Sequence, residues 1–392
     1  MSDAIVIVGA KRTAIGSLLG QYTGVPSPQL AAAAISGALT EAGLGADQVT
    51  EVIFGCVLPA GLGQAPARQA ALAAGLPTSA GATTINKVCG SGMKAIMLGH
   101  DALKVGSTDV VVAGGMESMT NAPHLLPNSR TGSKYGSIEM LDHMAWDGLQ
   151  NPYDKQAMGV FGEMCVEKFA YTREAQDAFS AESVKRALAA QSSGALKNEI
   201  APVKVAGRKG EVLIDADEEP AKCDLGKIPT LRAAFKKDGT ITAASSSKIS
   251  DGAAALVLMR ESDATARGLK PLARVLGHSS HAQEPAWFTT APVGAMQKLL
   301  AKLNWTVADV DLFEVNEAFA CVTMAAMTEL HIPHEKMNVH GGACALGHPI
   351  GATGARIVVS LINALRVTGG KRGMASLCIG GGEATAIALE LV

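Results

Sequence analysis

Four residues in this chain are of types, and in settings, that can do covalent chemistry. Cys89, in Asn86-Lys87-Val88-Cys89-Gly90-Ser91-Gly92, falls between an expected strand and an expected helix. A helix start presents free N–H groups, which favours a thiolate and lowers a cysteine pKa, so Cys89 is a candidate nucleophile. Its bland alternative is a buried small hydrophobe. His348, in Gly347-His348-Pro349-Ile350-Gly351, is fixed by a turn before a helix and is either a general base or a capping histidine. Cys378 ends an apolar strand ahead of Gly380-Gly381-Gly382, where bare backbone N–H groups can meet an oxyanion. Asn316, after the strand Asp311 to Val315, is an N-cap by default or else orients a water or a carbonyl at a strand C-terminal end.

Alternating strands and helices must position these groups. Expected elements are a strand over Ala4 to Gly9, a helix capped by Ser27 and closed at Gly43, a strand over Val49 to Leu58 and a helix over Pro66 to Ala74. A strand at Thr83 to Lys87, a helix at Ser91 to Val105 and a strand at Thr108 to Gly115 follow. The alternation predicts mainly parallel pairing with helices on the sheet faces. From Met119 to Lys248 the pattern lapses into turn-rich sequence with one helix, Arg173 to Ser192, and a charged stretch, Gly207-Arg208-Lys209-Gly210. It returns with the apolar run Ala253 to Met259, a strand from Leu272, helices at Val293 to Leu303 and Ala318 to Leu330, and the strand ending at Cys378. Glycine-rich strand-to-helix turns in both units suggest a duplication.

Composition narrows the classes. The 392 residues carry a formal net charge of -2 and 4% aromatics, which argues against a basic, base-stacking nucleic-acid surface. The longest alanine-rich stretch, Leu30 to Leu39, is far short of the roughly 20 residues of a membrane span. Seven cysteines without a C-x-x-C pair give no disulfide or zinc framework. His331, His334, His340 and Cys344 have no trusted ligand spacing, so no metal is expected. No signal-peptide pattern opens the chain, and the expectation is a reduced, cytoplasmic protein.

Taken together, the Cys89 motif, Asn316-Glu317-Ala318-Phe319-Ala320, Gly341-Gly342-Ala343 with Gly347-His348-Pro349-Ile350-Gly351, and Cys378-Ile379-Gly380-Gly381-Gly382 resemble the thiolase family in order and spacing. Arg12 to Gly16, Gly114 to Met119 and Ser250 to Ala254 extend the likeness over the whole chain, most closely to the short biosynthetic type. The resemblance implies an α/β fold: a five-layered α/β/α/β/α core of two duplicated halves, residues 1–118 with 249–270, and 271–392. It further implies a loop domain, residues 119–248, inserted in the first half, and a homotetramer built as a dimer of dimers.

The resemblance also implies reversible Claisen condensation of two acetyl-CoA to acetoacetyl-CoA and CoA through an acetyl-cysteine, with no cofactor; the alternative is a 3-oxoacyl-CoA thiolase of broader chain length. By similarity Cys89 is acylated, His348 activates it and Cys378 moves the α-proton. Asn316 holds a water that forms one oxyanion site with His348, and the N–H groups of Cys89 and Gly380 form the other. Leu149, Met158, Phe235, Ala243, Ser247, Ala318 and Phe319 resemble the pantetheine channel. The chain departs from the family pattern at Ala157, at Ala244 to Lys248, at Glu219 to Cys223, where Lys222 stands near a missing arginine, and at Glu383. A condensing enzyme that acts on carrier-protein thioesters would replace Asn316 by histidine and lack Cys378. A non-catalytic acyl-CoA-binding protein of the same fold would be expected to lack one of Cys89, His348 or Cys378.

Overall fold

The computed structural model describes residues 3–207 and 210–392, so Arg208 and Lys209 of the charged stretch, like Met1 and Ser2, lie outside the described residues. The first half runs β1 (Ile5–Arg12), the two-residue β2 (Gly16–Ser17), α1 (Ser27–Ala42), β3 (Glu51–Gly55), α2 (Pro66–Ala73), β4 (Gly81–Ile85), α3 (Ser91–Lys104) and β5 (Val110–Ser118). An excursion carries β6 (His124–Leu125), β7 (Leu141–Asp142), α4 (Met158–Phe169), α5 (Arg173–Ser192) and a hairpin of β8 (Val203–Gly207) and β9 (Gly210–Ile214). The chain re-enters the sheet through β10 (Ser250–Arg260) and α6 (Glu261–Ala266). The second half is β11 (Ala273–Ala282), α7 (Ala291–Leu303), β12 (Leu312–Val315), α8 (Ala320–Leu330), α9 (Ala343–Leu346), α10 (Thr353–Thr368), β13 (Arg372–Ile379) and β14 (Glu383–Leu391).

The main sheet has the order β12-β13-β14-β11-β1-β10-β5-β3-β4. Outward from the central β1–β11 pair, each half repeats the same succession: first strand, last strand, the strand after the middle helix, then the second strand. A parallel bridge, Phe313 to Met337, stands where the second half would match β4. This repetition is the duplication expected from the glycine-rich turns. The expectation of mainly parallel pairing is corrected: only β3–β4, β3–β5 and β12–β13 are parallel, and the pairs around β1, β10, β11 and β14 are antiparallel. The last strand of each half returns beside the first, and the two first strands meet head to tail, which alternation alone does not reveal.

Strand periodicity builds the layers. In β1, Val6 and Val8 face α1 and α2, whereas Ile5 and Ile7 face α3 and α10. α3 and α10 are sandwiched between the sheet halves, and α7 and α8 cover the outer face of the second. α10 is buried on every side from Thr353 to Leu365, as a helix in the middle layer must be. In the excursion, α5 starts where Thr172 Oγ1 accepts a hydrogen bond from Ala175 N–H. α4 was hidden in the sequence by Gly159 and Gly162, each a cost of about 1 kcal/mol in a helix. Any side chain there would strike Phe235 or Ile241, so the glycines let α4 seat closely on these groups.

Candidate active site

The nucleophile candidate sits on a strained turn. Val88, immediately before Cys89, has φ +47°, a region costly for a β-branched residue. Three local bonds hold it: Val88 N–H to Asn86 Oδ1 at 2.8 Å, Lys87 N–H to Ser91 Oγ at 2.8 Å, and Ser91 Oγ–H to Val88 O at 2.7 Å. Burial pushes the Cys89 thiol up to about 11, against the opposing pull of the Gly380 and Cys89 N–H groups. The lowered pKa expected from the helix start is therefore corrected. Helix dipole and N–H donors act, but desolvation of the anion is larger.

His348 is positioned by a turn only glycine permits. Gly347 has φ +109°, and a Cβ there would meet Ser250 Oγ at 2.1 Å. The imidazole Nδ1 lies 2.7 Å from Thr353 Oγ1, and that hydroxyl donates its single proton to Pro349 O at 3.0 Å. Nδ1 therefore carries the hydrogen, and Nε2 presents a lone pair, buried and without a partner among the described residues. Burial, then the nearby Arg356 cation, hold the imidazole down at about 3, so it is neutral.

Cys378 is the penultimate residue of β13, opposite Ala384, and Gly380 to Gly382 form the turn into β14. Its thiol is driven well above the usual range by burial and then by neighbouring Cys89. Asn316 is not an N-cap, because α8 begins after Phe319. Its Oδ1 faces Arg356 Nη2 at 3.3 Å. Arginine is donor only, which fixes the amide orientation and leaves Nδ2 as a buried donor without a partner among the described residues.

Cys89, His348, Cys378 and Gly380 line one cavity of about 60 Å³, together with Gly148, Leu149, Met158, Ser247, Phe288, Ala318 and Phe319. A channel of about 300 Å³ adjoins it, sharing Leu149, Met158, Ser247, Phe319 and His348 and adding Phe235 and Lys248. Asn316 lies outside both linings. So does Ala243, which is exposed and whose carbonyl accepts the Lys248 ammonium. Lys222 is engaged with Glu218 Oε1 at 2.7 Å and Ser17 Oγ at 2.9 Å, away from the channel.

Three supporting residues escaped the sequence reading. Thr353 sets the histidine tautomer and Arg356 orients Asn316. Glu117, fully buried, accepts from Val57, Leu58 and Gly351 N–H at 2.9, 3.2 and 2.9 Å and so ties the segment after β3, β5 and the His348 turn together. A charged residue inside an otherwise apolar strand or helix was the available signal. Among the described residues, one group of metal-ligating side chains converges, His100, Asp101 and His278, and it is joined by hydrogen bonds of 2.9 Å outside the cavity.

Residues 5–262 match the family model for the thiolase N-terminal domain, and residues 269–391 match that for the thiolase C-terminal domain. The chain belongs to the thiolase family. Among similar thiolases, acetyl-CoA acetyltransferase 2 of Arabidopsis thaliana is 48% identical over 99% of this chain and 97% of its own. The acetyl-CoA acetyltransferase of Pseudomonas aeruginosa is 46% identical over 98% of each chain. The crystal structure of the Bacillus anthracis acetyl-CoA acetyltransferase superposes with a TM-score of 0.97 at 40% identity, covering 100% of this chain and 99% of that one. A thiolase from Ascaris suum in complex with coenzyme A gives 0.94 at 40% identity, covering 99% and 100%. The thiolase fold of two duplicated halves is thereby established. Among the described residues, no helix is long and apolar enough to cross a membrane.

Proposed function

We propose that this thiolase is an acetyl-CoA C-acetyltransferase, condensing two acetyl-CoA to acetoacetyl-CoA and CoA and running the reverse cleavage. The observation that carries the reading is the meeting of Cys89, His348, Cys378 and Gly380 at one cavity that adjoins a largely apolar channel. His348 Nε2 takes the Cys89 proton as sulfur attacks the acetyl carbonyl. The Sγ–C bond forms, the CoA C–S bond breaks, and the leaving thiolate receives the proton. The N–H groups of Cys89 and Gly380 receive the carbonyl oxygen as it becomes negative.

For the second acetyl-CoA, Cys378 passes its proton to His348 Nε2 and, as thiolate, removes the α-proton. The enolate oxygen is met by His348 Nε2–H and by a water held on Asn316 Nδ2. The enolate carbon attacks the acetyl-cysteine, the departing Cys89 sulfur recovers a proton from Cys378, and Cys378 takes its own proton back from His348 Nε2, which returns all three groups to their resting neutral forms. A thioester intermediate suits this step because sulfur keeps the acyl group activated. The cavity is small, about 60 Å³, which suits acetyl units and disfavours longer chains. Acetyl-CoA, acetoacetyl-CoA and CoA are thus the substrates, and the side chains described supply the acid–base and oxyanion groups of each step without a further cofactor.

A homotetramer is part of the proposal. Its support is the apolar surface of the excursion, where Tyr135, Ile138, Met140 and Tyr153 are 100%, 60%, 63% and 77% exposed. A reducing, cytoplasmic setting is supported by seven free cysteines. The deciding experiment is CoA-dependent cleavage of 3-oxoacyl-CoA substrates from four carbons upward, with Cys89→Ala as control. Cleavage centred on the four-carbon substrate, with acetyl label on Cys89, is expected. Equal turnover of longer chains would refute the acetyl preference, and acetylation elsewhere would refute the nucleophile.

A further inference from the structure

Glu383, the first residue after the glycine turn, has a partner in the structure. Its Oε2 pairs with the Lys87 ammonium, across 296 positions of sequence. Lys87 lies two residues before Cys89, and Glu383 lies three residues after Gly380. Two further contacts join the same segments. A Cβ on Gly90 would fall 2.3 Å from Ile379 Cδ1, and the ideal Cβ position of Gly380 is 3.6 Å from Val88 Cγ1. The turn 87–90 and the turn 379–383 therefore meet in three places, with the ion pair at their outer end. Between them lie the backbone N–H groups of Cys89 and Gly380, on two residues that line the same cavity.

We propose that Lys87 and Glu383 are positioning residues: their ion pair clamps the nucleophile turn against the glycine turn and so sets the spacing of the two N–H donors at the acyl oxygen. The inference rests on the function proposed above. The two donors come from segments with separate supports, one at the end of β4 and one between β13 and β14. Val88 adds strain to the first, and Gly381 and Gly382, at φ +95° and +87°, occupy backbone conformations open to few other residues in the second. Oxyanion donors act through geometry, so a small drift between the segments weakens the acyl-transfer step and leaves binding along the channel intact.

Both partners are partly exposed, 24% for Lys87 and 38% for Glu383. A pair this accessible contributes at most about fivefold to a rate. The test uses Lys87→Gln, Glu383→Gln and the exchange Lys87→Glu with Glu383→Lys in the full-length protein. The rate of acetyl-Cys89 formation from acetyl-CoA is followed by rapid quench and intact mass, with the KM for acetyl-CoA measured alongside. Each single variant is expected to slow acetylation about two- to fivefold with KM unchanged, and the exchange to restore most of the rate. Raising salt should slow the native protein toward the single variants and leave those variants unaffected. Single variants that acetylate at the native rate would overturn the clamp, as would an exchange that compounds both losses. A native protein that forms no acetyl-enzyme at all would instead overturn the reading of the site, and this inference with it.

Discussion

The tautomer of His348 is the feature whose removal tests the site most directly. Thr353→Val keeps the shape of the side chain but removes the acceptor 2.7 Å from Nδ1. The imidazole is buried, so its N–H is left unpartnered at a cost of about 1–3 kcal/mol, and the ring relieves that cost by rotating or by moving the proton to Nε2. Either response takes the lone pair from the cavity. At about 1.36 kcal/mol per tenfold, acetyl-enzyme formation should fall about 5- to 150-fold. Thr353→Ser keeps the hydroxyl and should stay within a fewfold of the native rate. Single-turnover acetylation of Cys89, with thermal unfolding to show that each variant is folded, measures both. A valine variant within twofold of native would refute the tautomer argument. A serine variant as slow as valine would assign the loss to packing.

The ionisation states make a second prediction. With the Cys89 thiol held up at about 11, alkylation by iodoacetamide should accelerate about tenfold per pH unit through pH 7 to 10, and a plateau near pH 8 would show a thiolate already formed. Arg356→Lys loses the reach to Asn316 Oδ1, so condensation should fall at least about tenfold while acetylation of Cys89 changes little; equal loss in both half-reactions would detach Arg356 from the enolate site. Met158 lies between the 60 Å³ cavity and a neighbouring one of about 210 Å³. Met158→Ala should therefore raise the kcat/KM for a six-carbon 3-oxoacyl-CoA relative to the four-carbon substrate, each accommodated methylene being worth about 10-fold or more. For stability, the folded His348 value of about 3 lies below its ordinary 6.5. The unfolded chain thus binds the proton first, and the histidine's contribution is present above about pH 6.5 and lost as pH falls toward 3. His348→Gln should flatten the decline of the urea midpoint between pH 6 and 4, and an unchanged decline would refute a buried neutral imidazole.

Much of this was legible in the sequence, for reasons particular residues make plain. Cys89, His348 and Cys378 each sit in a turn of glycine or proline, and such turns survive as local signals because backbone sterics write them. Most strands and helices of the two halves showed as apolar runs bounded by turn residues, and α5 was readable to its last residue, Ser192, whereas β14 was not among the expected elements. Sheet direction was not readable, because antiparallel pairing of β1 with β10 joins residues about 250 positions apart and leaves no mark in either strand. Thr353, Arg356 and Glu117 were hidden for the same reason. Arg356 and Glu117 stand out only as charges within apolar elements and Thr353 not at all, and the role of each appears only when another segment brings a lone pair, an amide or three N–H groups to it.

The charge states impose an order on the proposed chemistry. Cys89, Cys378 and His348 are all neutral at rest, since burial penalises each charged form. No thiolate–imidazolium pair therefore waits in the cavity, and a proton must move as bonds change. The Cys89 and Gly380 N–H groups stabilise sulfur while it is anionic. As sulfur bonds to the acyl carbon it loses that charge, and the carbonyl oxygen gains it within reach of the same donors. One pair of N–H groups thus follows the negative charge from nucleophile to oxyanion, which works only if the two turns that carry them keep a fixed spacing. The Val88 strain, the Gly90–Ile379 contact and the Lys87–Glu383 pair all act on that one spacing.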